Sequence, residues 1–122
     1  MRSLNSSVFR WPNREEVDRA AREWAAEIAK QHTGVIRVGY FGSYARGNWG
    51  VGSDLDLVAI VSRTDEPFEK RSLGWDVDEL PVPAQLLVYT ASEWESLQND
   101  KGRFARALAS ETVWVFHADR NS

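Results

Sequence analysis

Two strand-like runs, Val35 to Phe41 and Asp54 to Val61, flank a polar stretch containing Gly42, Gly47, Gly50 and Gly52. The first run is β-branched and aromatic. The second is polar–apolar at its start and wholly apolar at its end. Both patterns suit strands rather than helices. The glycines make most of the connection a loop, and residues 43–46 are expected to begin a short helix directly after the first strand. A chain built around such a pair needs a sheet with helices laid on it.

The remaining sequence supplies those helices. Asn13 reads as an N-cap, with Glu16 as its capping-box partner. Val17, Ala21, Trp24, Ala25 and Ile28 follow at helical spacing, which predicts a helix from about 14 to 31 that ends with Gly34 at C′. Gln85 to Tyr89 reads as a third strand. Thr90 and Glu93 form a second capping box, opening a helix through about Leu97. Phe104, Ala107 and Leu108 suggest a further helix, and Thr112 to Phe116 a fourth strand or a packing tail. Residues 62–83 resist reading, because Pro67, Gly74, Pro81 and Pro83 break any long element. The expected organisation is an N-terminal arm over 1–13 and one domain over 14–122. The expected fold class is α/β (α+β), a small mixed sheet packed against helices.

Composition removes several functions. The 122 residues allow one core and leave little room for a separate substrate domain. The net charge of −3 gives no global basic field, so nucleic acid is not an expected partner. With no cysteine, disulfides, thiolate metal sites and Cys nucleophiles are excluded, and two separated histidines, His32 and His117, make a zinc site a poor reading. No run is long enough to span a membrane and the N-terminus lacks the apolar core of a signal peptide, so a cytoplasmic location is expected.

The chemistry sits between the two runs. Gly42 follows a strand and precedes the short helix. Lacking a Cβ, it allows close approach of a bound group to the main chain, and free backbone N–H groups at a helix start favour phosphate. Ser43 adds a hydroxyl and Arg46 a positive charge. Asp54 and Asp56 lie two apart on a strand, so both carboxylates are expected on one face. Their mutual repulsion is relieved by a hard divalent cation, and Mg²⁺ prefers carboxylate, phosphate and water oxygens. A Gly-Ser turn or an Asp-x-Asp pair alone means little. Together, on adjoining elements, they point to one ligand joining them, a metal–polyphosphate.

Phe41-Gly42-Ser43 and Ser53-Asp54-Leu55-Asp56-Leu57 resemble the signature of the polymerase-beta-like nucleotidyltransferase superfamily. Gly42-Ser43-Tyr44-Ala45-Arg46-Gly47 is similar to the form found in its minimal nucleotidyltransferases, which often pair with a helical HEPN protein as toxin and antitoxin. Val88 to Trp94 resembles the strand-to-helix step of that branch. The resemblance spans roughly residues 14–116. It implies that Gly42 and Ser43, with Arg46 and Ser53, bind the nucleoside triphosphate, expected to be ATP. It implies that Asp54 and Asp56 are catalytic and hold Mg²⁺ or Mn²⁺. The implied reaction is in-line attack of a protein or small-molecule hydroxyl on the α-phosphorus, with pyrophosphate leaving.

One position departs from the pattern. The family places a third carboxylate on the later strand, and the matching residue here is Gln85. An amide oxygen can ligate a metal but brings no charge and cannot act as a general base. Asp76, Asp78 or a partner chain are the alternatives for that charge. Two readings therefore stand: an enzyme transferring AMP, and a catalytically weak module that binds nucleotide or a partner, whether a HEPN-type protein or a second copy of the chain. Outside the motif, Trp24, Trp94 and Trp114 read as core. Trp49 and Trp75 are ambiguous, Trp49 reading first as a loop residue folded onto the sheet and second as a base-stacking or partner-facing side chain. His32 is accounted for by a helix dipole, and Arg63, Lys70 and Arg71 by a solvated surface.

Overall fold

The computed structural model describes residues 10–100 and 102–118. The first nine residues of the expected arm lie outside the described residues. Four strands form one sheet: β1 (Val35–Phe41), β2 (Leu55–Val61), β3 (Ala84–Thr90) and β4 (Val113–His117). Their order is β3-β2-β1-β4. β1 runs antiparallel to both β2 and β4, whereas β2 and β3 are parallel. The sheet is therefore mixed, as expected, and the stretch read as Thr112 to Phe116 holds a strand, Val113–His117, rather than a tail.

The helices cover both faces. α1 (Arg14–Gln31) carries both capping-box hydrogen bonds between Asn13 and Glu16, and its buried residues are Val17, Ala21, Trp24, Ala25 and Ile28. These pack on Val38 and Tyr40 of β1 and on Leu55, Leu57, Ala59 and Val61 of β2. The alternate residues of β2, Val58 and Ile60, join Trp94 and Leu108 on the other face. That face is covered by α3 (Ala91–Gln98) and α4 (Arg103–Glu111). The period of two along β2 thus divides the core into two layers. α2 (Ser43–Arg46) is the short helix after β1, and Tyr44 anchors it in the core. Its hydroxyl accepts a 2.8 Å hydrogen bond from the Trp11 indole.

Several local expectations need correction. The C-cap of α1 is His32 in an extended conformation, so Gly34 falls one residue past C′; its carbonyl instead accepts from the Ser62 amide at 2.8 Å. His32 sits at the C-terminus of α1, as expected, and also stacks on Trp75 with centroids 4.9 Å apart. Trp49 lies parallel to Tyr44 at 5.5 Å, packed over α2. Asp54 precedes β2, which begins at Leu55.

Residues 62–83 are tied down at separate points and contain one 3-10 helix, Phe68–Gly74. Trp75, Leu80 and Val82 are buried in the core, and the Trp24 indole donates to the Asp76 carbonyl at 2.6 Å. Arg71 is no solvated surface residue. Only 9% of its side chain is exposed, and it bridges Glu93 through contacts of 2.6 and 3.1 Å. It also donates to the main-chain carbonyls of Val88 and Glu66.

Candidate active site

The Gly-Ser turn and the aspartates meet at the head of β2. Phe41 is the register partner of Asp56 across β1, and Gln85 is its partner across β3. Asp56 is two residues before Val58 and four before Ile60, so it shares their sheet face. Gln85 is four residues before Tyr89, which packs on that same face. Asp54 lies close enough to act on Asp56, and its Oδ2 accepts from the Gln85 amide at 3.4 Å. The three side chains are thus gathered at the head of β2 and β3, with Asp56 and Gln85 on one face.

Gly42 occupies its position for two physical reasons. Its φ of 79° and ψ of −151° favour glycine. A Cβ at this position would also run into the Asp56 carboxylate. The backbone of the turn therefore lies directly against the acid. Beyond Gly42, α2 begins at Ser43, and its first-turn N–H groups have no acceptors within the helix.

Electrostatics at this point are in conflict. Partial burial raises the pKa of Asp56, and the neighbouring Asp54 raises it further, while Arg46 acts in the opposite direction. A divalent cation between the two carboxylates would relieve that conflict, so the donor set fits one such ion. It fits a second less well. Among the described residues, no group of three or more His, Cys, Asp or Glu side chains is arranged to hold a metal. Asp76 and Asp78 therefore do not complete the pair. Asp76 is used locally, accepting from the Asp78 amide at 2.8 Å.

The other motif residues have visible partners. Ser53 Oγ accepts from the Gly50 amide at 2.8 Å, closing the loop ahead of Asp54. Arg46 contacts Glu111, at the end of α4, at 3.3 Å. Sequence reading missed Glu111, and no local signal could have found it, since the two residues are 65 apart in the chain.

The sequence profile of the nucleotidyltransferase domain family matches residues 22–115. The chain belongs to that family. It is also similar in fold to a candidate nucleotidyltransferase from Sulfolobus solfataricus, at 18% identity and a TM-score of 0.64, over 88% of this chain and 86% of that one. A second solved structure, a toxin–antitoxin crystallised with AMP-PNP, aligns at 12% identity and a TM-score of 0.50, over 82% of this chain and 76% of its own. No curated protein matches the chain in sequence. Nucleotidyltransferase domains generally use divalent metal ions. Among the described residues, no helix is long and apolar enough to cross a membrane.

Proposed function

We propose that this domain binds a nucleoside triphosphate, ATP, together with Mg²⁺ or Mn²⁺, and transfers AMP to a hydroxyl of a protein or small molecule in the cytoplasm. The observation that carries the reading is the meeting of Gly42, Asp54 and Asp56 at the head of β2, with Gly42 against the Asp56 carboxylate and Asp54 beside it. In this reading, Gly42 lets the triphosphate approach the main chain. The first-turn N–H groups of α2 and the Ser43 hydroxyl bind its oxygens. Arg46 adds a charge-assisted contact, and Ser53 shapes the loop that presents Asp54. Asp54 and Asp56 would hold the cation, which supplies charge neutralisation at the triphosphate and the departing pyrophosphate. The acceptor oxygen bonds to the α-phosphorus, the bond from that phosphorus to the bridging oxygen breaks, and the acceptor proton passes to solvent or to a partner's base.

A second reading has its own support. Gln85 is the register partner of Asp56, and neither Asp76 nor Asp78 compensates for its lack of charge. This favours a domain that binds nucleotide better than it turns it over. Such a domain suits the antitoxin of a pair with a HEPN-type helical protein, or assembly with a second copy. The distinguishing experiment is label transfer from α-labelled ATP with Mg²⁺ beside candidate acceptor proteins. The enzyme reading predicts transfer that is lost in Asp54→Asn/Asp56→Asn. The binding reading predicts none from the wild type and a gain in Gln85→Glu, with ATP affinity little changed. Efficient transfer by the wild type, unaffected by Gln85→Glu, would sink the binding reading.

A further inference from the structure

Glu111 has no explanation in the energetics of its own helix. It is the last residue of α4, whose final turn holds no basic residue. A carboxylate there faces the negative end of the helix dipole. Its cationic contact comes instead from Arg46, on the motif turn. That contact is loose: one distance of 3.3 Å, with side-chain exposures of 48% for Arg46 and 29% for Glu111. The Arg71–Glu93 pair shows what a committed contact looks like in the same molecule, with two hydrogen bonds, of 2.6 and 3.1 Å, and an arginine side chain only 9% exposed. Half-exposed pairs contribute little to stability. Arginine binds phosphate oxygens bidentately and more strongly than a single carboxylate contact of this length.

We propose that Glu111 is an internal competitor for the nucleotide: its carboxylate occupies the Arg46 guanidinium, and a triphosphate must displace it to bind. The inference rests on the reading of Arg46 as a phosphate ligand given above. Glu111 thereby weakens affinity for triphosphate and favours the ligand able to place most negative charge at Arg46. ATP then gains more than AMP when the competitor is removed.

The test is a double-mutant cycle read as Kd for ATP with Mg²⁺, by calorimetry on the full chain. Glu111→Gln keeps size and removes charge. It is expected to tighten ATP binding about three- to tenfold and AMP binding less. Arg46→Gln is expected to weaken ATP binding by a similar factor. In the Arg46→Gln background, Glu111→Gln should change nothing further. If Arg46→Gln leaves ATP affinity unchanged, the phosphate reading of Arg46 fails and the inference with it. If Arg46→Gln weakens binding but Glu111→Gln has no effect, the phosphate reading stands and the competitor is refuted. An equal gain from Glu111→Gln in both backgrounds would show a general charge effect and would also overturn the proposal. Thermal melts of each variant separate affinity changes from loss of fold, and Arg46→Lys is the second variant should Arg46→Gln fold poorly.

Discussion

Asp56 and Glu93 are carboxylates near opposite ends of the same parallel strand pair, and their surroundings push them in opposite directions. Asp56, at the head of β2, is raised by burial and by Asp54. Glu93, just past the end of β3, is lowered to about 2, chiefly by its hydrogen bonds from Arg71 and from the Thr90 amide. Glu93 has an arginine donor, its capping-box hydrogen bonds and a helix N-terminus beside it. Asp56 has a like charge beside it that Arg46, which also contacts Glu111, offsets only in part. One end of the sheet is electrostatically settled, and the other carries a conflict that a cation would resolve. Such a division suits a domain whose site is held ready by a rigid remainder.

The largest effect should come from Gly42→Ala. The new Cβ meets the Asp56 carboxylate at a φ unfavourable to alanine. A cost of roughly 2–3 kcal/mol is expected, with ATP binding lost even where the fold survives. Wild-type affinity in a folded Gly42→Ala protein would break the claim that the turn's backbone is part of the site.

A smaller effect belongs to the settled end. Arg71→Ala should destabilise by about 1–2 kcal/mol, since it strips a nearly buried latch from the Val88 carbonyl and from Glu93. The loss stays below that of a fully buried pair because 43% of Glu93 is exposed. ATP affinity should be unchanged, and an affinity loss without unfolding would show that the two ends are coupled.

The smallest effect is in pH. A carboxylate with a depressed folded pKa stabilises fully above its unfolded value, and that contribution disappears as pH falls from near 4.5 toward about 2. After allowance for solvent screening, it is about 1 kcal/mol. The stability gap between wild type and Glu93→Gln, measured by urea titration, should therefore be present at pH 6 and shrink steadily below pH 4.5. A gap that widens on acidification would contradict the assignment.

The sequence was most legible where chemistry is local. The Asn13–Glu16 and Thr90–Glu93 capping boxes start α1 and α3 where the residue types require. The β-branched run sets β1 over its full length. Gln85 is legible in the sequence only through the family resemblance, and its register opposite Asp56 emerges with the sheet. Legibility ended where contacts cross the chain. Arg71 looks like a surface charge until β3 and α3 fold against it. Trp75 and His32 become a stack only after residues 62–83 return to α1. Arg46 looks free in sequence, and Glu111 reaches it only through the packing of α4.

The most direct test of the central claim is a thermal melt with and without Mg²⁺ and ATP, on wild type and on Asp54→Asn/Asp56→Asn. A ligand binding only the native state at a hundredfold excess over its Kd stabilises by about 2.7 kcal/mol, which for a domain of this size is a rise in Tm of several degrees. The expected result is that rise for wild type and none for the double variant, although the double variant removes a like-charge conflict and should melt no lower without ligand. An equal rise in both proteins would contradict the assignment of Asp54 and Asp56 as the cation-holding pair.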